Sequence, residues 1–138
     1  MLAIGIDVGG MSVKVAAVEG HRTLWTGRSR MYDKPTTEQV VSFIRQAAAD
    51  RAGDAILAGI CVPGLLNQDR TAVKLSINIP GLMGIRLDQL VRSALADGVR
   101  LACVASDAVA SAYDLQVTHK LPGRLFCLAI GTGVGAAV

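Results

Sequence analysis

Three strand-like segments open the chain, and short glycine-containing turns join them. Residues 2–8 run into Asp7-Val8-Gly9-Gly10, residues 12–18 alternate between two faces, and residues 22–30 follow the turn at Glu19-Gly20-His21. Apolar runs joined by such turns predict consecutive antiparallel strands. This opening constrains the fold strongly, because the rest of the chain must then pack on a sheet whose first three strands are already ordered.

The spacing of the apolar residues changes after residue 35. Thr36 and Gln39 form a capping-box pattern ahead of apolar residues at helical spacing, and Gly53 is the expected end of that helix. Asp88 is expected to cap a second helix, and Ser106 could cap a third. Strand-like runs alternate with these helices at residues 55–62, 99–104 and 125–130.

The order βββ-α-β-α-β-α-β predicts an α/β fold. Hairpin strands followed by crossover units imply a mixed, five-stranded sheet with helices on both faces. Half of the residues are apolar and 18% are charged, which argues for one domain with a sizeable core and against disorder.

Charge and cysteine content exclude several classes of protein. The net charge is only +3, so the locally basic residues 22–34 indicate a solvated sheet edge and not a nucleic-acid patch. No apolar stretch is long enough to cross a membrane, and no signal peptide is evident. Cys61, Cys103 and Cys127 are far apart and are expected to be buried small side chains in a reducing, cytoplasmic compartment.

The first glycine pair is a candidate phosphate site. Gly9 and Gly10 at a hairpin tip allow backbone N–H groups to approach an anion. Asp7 just before them would repel phosphate unless a divalent cation lies between, which suits Mg²⁺ with a nucleotide. Taken alone, however, an aspartate beside a glycine pair is more often an ordinary turn.

Polar groups follow two of the later strands. Asn78, in Asn78-Ile79-Pro80-Gly81, offers an amide to a polyhydroxylated ligand, although a bond to the local backbone explains it equally well. Asp107, after Ser106, could accept a proton from a substrate hydroxyl, although it could also be an ordinary first-turn aspartate.

A second glycine-rich segment lies near residue 138. Gly131-Thr132-Gly133-Val134-Gly135 predicts a second phosphate hairpin. The same residues also satisfy a dinucleotide-binding fingerprint, which requires a helix directly after the glycines. Three preceding antiparallel strands favour the phosphate hairpin.

Taken in order, these motifs resemble those of the ROK family of sugar kinases and sugar-responsive repressors, within the actin/hexokinase/Hsp70 superfamily. The resemblance covers the whole chain and rests on five short motifs, none of them specific alone. They are Asp-x-Gly-Gly at 7–10, Pro-Gly at 63–64, Asn-x-Pro-Gly at 78–81, Asp107, and Gly-Thr-Gly-x-Gly at 131–135.

The resemblance implies an actin-like ATPase (ribonuclease H-like) fold and ATP-dependent phosphorylation of a hexose or amino sugar. Asp107 would be the general base, and Asp7 would act on Mg²⁺ through water. The expected phosphate and nucleotide contacts are Asp7, Gly9, Gly10, Ser12, Lys14, Gly131, Thr132 and Gly133. The expected sugar contacts are Gly64, Asn78, Ser106 and Asp107.

Two residues depart from the family pattern. Met11 stands where the family usually has threonine, so a phosphate-facing hydroxyl is missing unless Ser12 replaces it. Ser106 replaces the asparagine of an Asn-Asp pair, which alters one sugar contact. These departures keep a second hypothesis open, a non-catalytic sugar-sensing module without a DNA-binding domain. Another actin-fold ATPase is a third, which Asn78 disfavours.

The resemblance also implies a second lobe that the chain does not contain. Residues 1–122 are expected to form the N-terminal lobe, and residues 123–138 the first strand and loop of the second. The chain is therefore expected to be a fragment that is inactive alone, with structural zinc only if the missing lobe exists. The expected partners are a sugar and a nucleotide, and a homodimer in a full-length form is left open.

Overall fold

A computed structural model describes residues 1–49, 51, 53, 55–131 and 133–138 of the chain. Nine strands, three α-helices and one 3₁₀ turn are found in this part. In chain order they are β1 (Leu2–Val8), β2 (Val13–Glu19), β3 (Arg22–Arg28), α1 (Thr37–Ala48), β4 (Leu57–Val62), β5 (Leu65–Leu66), β6 (Val73–Leu75), the 3₁₀ turn (Pro80–Leu82), α2 (Leu87–Ala94), β7 (Arg100–Ser106), α3 (Asp107–Thr118), β8 (Cys127–Ile130) and β9 (Val134–Ala137).

The main sheet has five strands in the order β3-β2-β1-β4-β7. The pairs β1–β2 and β2–β3 are antiparallel, whereas β1–β4 and β4–β7 are parallel. This confirms the predicted mixed sheet, with its antiparallel hairpins at one side and crossover connections at the other.

The hydrophobic core lies on one face of this sheet. Alternate residues of β1, β2 and β4 are buried there, and they include Ile4, Ile6, Val8, Val13, Val15, Ala17, Ala58, Ile60 and Val62. The apolar stripes of α1 and α2 complete this core, and α1 packs on β2, β3 and α2. Because side chains alternate along a strand, Asp7 and Cys61 lie on the opposite face, which the first turn of α3 reaches.

The start of α1 was predicted correctly, but its end was not. The Thr36 side chain accepts a hydrogen bond from the Gln39 backbone, and the Gln39 side chain accepts one from the Thr36 backbone. The helix ends at Ala48, before Gly53. Ala49 takes the left-handed conformation at φ 48° and donates its N–H to Arg45, so an alanine occupies a position that usually favours glycine.

Helices α2 and α3 begin differently. Asp88 does not cap α2, because the helix already starts at Leu87 and the Asp88 carboxylate pairs with Arg86 at 3.0 Å. Ser106 does cap α3, since its hydroxyl accepts a hydrogen bond from the backbone of Val109 at 3.5 Å. Asp107 therefore occupies the first turn of α3, where the helix dipole favours a carboxylate.

The segment after β8 decides between the two interpretations of the second glycine motif. Strand β9 pairs antiparallel with β8, from Cys127 opposite Ala137 to Ile130 opposite Val134. A dinucleotide fingerprint needs a helix at this point, so that alternative is wrong: β8 and β9 form an antiparallel pair instead. None of the α-helices within the described residues is long and apolar enough to cross a membrane.

Candidate functional site

The candidate site lies where the parallel strands β1, β4 and β7 end. Asp7 stands opposite Cys61 in the register of β1 and β4, and Val62 stands opposite Ser106 in that of β4 and β7. Carboxyl ends of parallel strands meet at one edge of a sheet, where α/β proteins place ligands. The carboxylates of Asp7 and Asp107 and the thiol of Cys61 are accordingly brought within 4.8 Å of one another.

The first glycine loop, residues 9–12, is closely tied to the body of the protein. Val8 and Val13, which flank it, are both 0% exposed. The Gly9 amide donates to the Ser12 carbonyl at 3.1 Å, which closes the turn. The loop therefore stands on buried residues, and its backbone is partly fixed by its own hydrogen bonding.

Tyr32 holds this loop at two points. Its hydroxyl donates to the carbonyl of Gly9 at 2.6 Å, and its backbone N–H donates to the carbonyl of Met11 at 2.9 Å. The ring stacks on Phe43 of α1, with 4.7 Å between the ring centroids. Burial, followed by the nearby charges of Asp7 and Asp107, raises the pKa of the Tyr32 hydroxyl, so it remains a donor.

Sequence reasoning missed Tyr32. It stands alone in the polar segment 29–36, between a strand and a helix, where an aromatic side chain carries no periodic signal. Its role depends on how the end of β3 is brought next to the hairpin tip of β1 and β2, and this is a tertiary arrangement. The one available indication was an isolated aromatic residue in a turn.

Lys14 in β2 and Ser12 in the loop before it have different surroundings. The Lys14 ammonium lies 3.0 Å from Oδ2 of Asp7, and both side chains are partly exposed, at 59% and 40%. Ser12 is only 4% exposed, and its hydroxyl accepts a hydrogen bond from Nε of Arg28 at 3.0 Å. The ammonium thus balances one carboxylate at the open face, whereas the Ser12 hydroxyl is held inside the hairpin.

Asp107 has an unusual environment for a first-turn aspartate. Burial raises the pKa of its carboxyl, the thiol hydrogen bond from Cys61 lowers it, the Asp7 charge raises it again, and Lys14 lowers it; the net direction is upward. A carboxyl that is harder to ionise is a better proton acceptor once ionised. A perturbed carboxyl beside a second carboxyl at a strand end is a feature of functional sites.

Gly64 is fixed by its backbone. It has a φ of 101°, and a Cβ at this position would collide with the carbonyl oxygen of Leu75 in β6. Only glycine fits such a conformation and approach. Gly64 therefore lets the short hairpin of β5 and β6 fold back close to the end of β4.

Asn78 lies beside the second glycine loop. It is half-buried, and its Nδ2 is 3.4 Å from the point that a Cβ on Gly133 would occupy. Gly135 packs on Ala108 of α3 in the same region. The structure thus brings Asn78, the second glycine loop and the start of α3 into one neighbourhood, although they are far apart in the chain.

The second glycine loop connects β8 and β9. The Gly131 amide donates to the carbonyl of Gly133 at 2.9 Å. Thr132, a predicted phosphate contact, lies outside the described residues.

The three cysteines are free thiols with different exposures. Cys127 is buried as predicted and Cys61 is half-buried, but Cys103 is exposed, which corrects the expectation for that residue. Cys103 lies in β7, the last strand in the order of the main sheet, where fewer neighbours cover its side chain.

Only part of the cluster of Asp7, Cys61 and Asp107 fits Mg²⁺. This ion prefers oxygen ligands and keeps several waters. The Asp7 carboxylate, 40% exposed beside the first glycine loop, fits a water-mediated contact of that kind. The thiol of Cys61 does not, because burial, the bond to Asp107 and the nearby carboxylates raise its pKa and keep it protonated.

A model of the ROK family matches residues 3–138. No curated protein gives a significant match. Among solved structures, a ROK family glucokinase from Streptomyces griseus, in complex with glucose and AMPPNP, is 26% identical with a TM-score of 0.79; the match covers 99% of this chain and 43% of that one.

Two further structures show the same fold. An inorganic polyphosphate/ATP-glucomannokinase from Arthrobacter sp. strain KM is 22% identical with a TM-score of 0.76, over 98% of this chain and 56% of that one. A ROK family transcriptional regulator, a homologue of the E. coli MLC protein, is 18% identical with a TM-score of 0.69, over 98% and 35%. The chain thus has the actin-like ATPase fold and spans less than two thirds of each of these proteins.

Proposed function

The chain belongs to the ROK family, and on this premise we propose that it is the sugar- and phosphate-binding part of an ATP-dependent sugar kinase. In this proposal residues 1–122 form the lobe that holds the first glycine loop and Asp107. Residues 123–138 begin a second lobe with the second glycine loop. A hexose or amino sugar is the proposed acceptor and ATP the proposed donor, as glucose and AMPPNP occupy the Streptomyces griseus glucokinase.

The observation that carries this proposal is the meeting of Asp7 and Asp107 beside the first glycine loop. Their carboxylates lie close together although 100 positions separate them in the chain. A phosphoryl transfer needs a base at the acceptor hydroxyl and charge neutralisation at the phosphates. Asp107 offers the base, the loop amides offer hydrogen-bond donors to the phosphates, and Asp7 offers an oxygen for a water-mediated Mg²⁺ contact.

In the proposed reaction Asp107 acts on the sugar hydroxyl. The O–H proton passes to the Asp107 carboxylate while the hydroxyl oxygen forms a bond to the γ-phosphorus. The bond between that phosphorus and its bridging oxygen breaks, and the electron pair leaves with ADP. The transition state is loose and largely dissociative, so positioning and charge stabilisation account for most of the catalysis.

The loop residues bind and orient the phosphates in this scheme. In this scheme the Gly10 amide donates to the anion, while Gly9 closes the turn behind it through its bond to Ser12, and Tyr32 holds the Gly9 carbonyl through its hydroxyl. Lys14 balances the charge of Asp7. Mg²⁺, when bound through water at Asp7, would supply further positive charge at the phosphates.

The proposed sugar contacts are Gly64, Asn78, Ser106 and Asp107 itself. Asn78 offers amide donors and an acceptor near Gly133, and Ser106 lies directly before the base. Gly64 shapes the same pocket by allowing β5 and β6 to turn back. Gly131, Thr132 and Gly133 are the proposed contacts of the second glycine loop with the nucleotide phosphates.

The proposal is tested by changing Asp107 in a two-lobed kinase. We expect this chain, joined to the part of the Streptomyces griseus glucokinase that it does not cover, to release ADP when a hexose is added. Asp107→Asn should reduce that turnover by about 100-fold or more, because a base typically contributes 10²- to 10⁴-fold. Sugar binding, measured by calorimetry, should persist.

Asp114→Asn is the matched control, because Asp114 is exposed on the same helix. It should leave turnover within twofold. If Asp107→Asn and Asp114→Asn gave the same turnover, Asp107 would not be the base. The 138-residue chain assayed alone should give only background turnover with every hexose.

Two departures from the family pattern favour a second candidate, a sugar-sensing module that does not catalyse. Met11 presents a 41% exposed thioether at the tip of the first glycine loop, where the family usually has a hydroxyl, and Ser106 replaces an asparagine. A sensing module would bind a hexose in the joined protein without releasing ADP. Replacing Met11 by threonine would then not create turnover, whereas it should raise turnover in a kinase.

A further inference from the structure

Cys61 donates a hydrogen bond to Asp107, the proposed base. Its Sγ lies 3.1 Å from Oδ1 of Asp107, and the two residues are 46 positions apart. Burial is the largest of the effects that raise the pKa of this thiol, and the hydrogen bond to Asp107 adds to it. The thiol is therefore protonated and donates to the carboxylate; it is not an activated nucleophile.

The sheet fixes the geometry of this contact. Cys61 stands opposite Ala105 in the parallel register of β4 and β7, and Asp107 follows two residues later as the first residue of α3. One end of the hydrogen bond is thus in β4, and the other is in the helix that directly follows the paired strand β7. Rotation of the carboxylate away from the Sγ atom would break this hydrogen bond, so the bond favours one orientation of the Asp107 side chain.

The carboxylate has other charged and titratable groups around it. Asp7 on β1 repels it, Lys14 on β2 attracts it, and the Tyr32 hydroxyl lies close enough for the Asp107 charge to affect it. Rotation of Asp107 about its χ1 angle would change its distance to each of these groups. By selecting one rotamer of Asp107, the Cys61 thiol therefore also determines which of these three groups the carboxylate faces.

We propose that Cys61 is a positioning residue, whose thiol holds Oδ1 of Asp107 and leaves Oδ2 free to receive the proton of the substrate hydroxyl. This rests on the proposed function, because it assumes that Asp107 is the base. The Cys61 S–H bond is neither broken nor formed in the reaction. The thiol acts through Asp107 and does not itself contact the reacting atoms.

The test measures the χ1 rotamer populations of the Asp107 side chain in the 138-residue chain. Three-bond NMR couplings to Cγ report the populations of its χ1 rotamers. We expect one dominant rotamer in the unaltered chain. In Cys61→Ala, the ratio of that rotamer to the others should fall about 2- to 10-fold, as loss of one hydrogen bond predicts.

Two variants separate hydrogen bonding from packing. Cys61→Ser keeps an O–H donor and should restore the dominant rotamer, whereas Cys61→Val fills a similar space without a donor and should not. Cys61→Val also decides the question if the alanine variant does not fold. Cys103→Ala, at an exposed cysteine of the neighbouring strand, is the matched control and should change nothing.

The proposal is overturned if the alanine and valine variants keep the same couplings as the unaltered chain, or if the serine variant loses the rotamer as they do. The coupling measurement does not require turnover. A failure of the Asp107→Asn experiment would therefore remove the proposed function while leaving this result intact, and the reverse also holds.

Discussion

The molecule has two glycine loops, each at the tip of a β-hairpin, and their surroundings differ sharply. At the first, residues 9–12, the flanking Val8 and Val13 are both 0% exposed. At the second, residues 131–133, the flanking Ile130 and Val134 are 75% and 73% exposed. Two similar glycine-rich sequences are thus flanked by buried residues in one case and by exposed residues in the other.

This difference indicates which of the two loops is better ordered for binding phosphate. The first loop is held by Tyr32 through a side-chain and a backbone hydrogen bond, and its strands belong to the main sheet. The second belongs to a separate two-stranded sheet that touches α3 through Gly135 and Ala108. A loop that is already ordered loses less entropy on binding, so we expect the first loop to bind phosphate more readily.

The largest expected effect compares one residue type in the two hairpins. Ile6 in β1 is 3% exposed, whereas Ile130 in β8 is 75% exposed. Ile6→Ala should lower the free energy of unfolding by about 2–5 kcal/mol, because it removes buried methyl groups and leaves a cavity. Ile130→Ala should change it by about 0.5 kcal/mol or less. Urea unfolding of the 138-residue chain measures both.

Equal losses of unfolding free energy for Ile6→Ala and Ile130→Ala would contradict this difference, since the second hairpin would then be as well packed as the first. A larger loss for Ile130→Ala would reverse it.

A smaller effect is expected from removing the hydrogen bond between Tyr32 and the first glycine loop. Tyr32→Phe keeps the ring stacked on Phe43 and removes only the hydroxyl that donates to Gly9. One hydrogen bond contributes about 0.5–1.5 kcal/mol, so amide exchange at Gly9 and at residue 32 should be about 2- to 10-fold faster. Hydrogen exchange followed by NMR measures this.

Tyr113→Phe is the control for that variant, because Tyr113 is 69% exposed on α3. It should leave the Gly9 amide unchanged, and neither variant should alter exchange at Gly131. If Tyr32→Phe had no effect on Gly9, the loop would be held by its own turn and by the flanking valines alone.

The sequence predicted the main sheet well because its pattern is strong. Ile4, Ile6 and Val8 alternate with residues of the other face, and the Thr36–Gln39 capping box is a pattern specific to the start of a helix. The strands β5 and β6 were missed, because two- and three-residue strands show no period. Asp88 was misassigned, because a helix cap and a first-turn acid look alike in sequence.

For the candidate site, the sequence indicated single residues but not their contacts. Asp7 and Asp107 were identified because each follows a strand. Tyr32 and Cys61 were not, because their contacts with the loop and with Asp107 join residues 23 and 46 positions apart. Such contacts depend on strand order and register, which a local pattern does not contain.

We propose that the first glycine loop is a preformed phosphate site. Titrating the ¹⁵N-labelled 138-residue chain with AMPPNP and Mg²⁺ tests it most directly. We predict saturable amide shifts that are largest at Gly9, Gly10 and Met11 and smaller at Gly131 and Gly133. Saturable shifts that leave residues 9–11 unmoved, or no shifts at millimolar nucleotide, would contradict the claim.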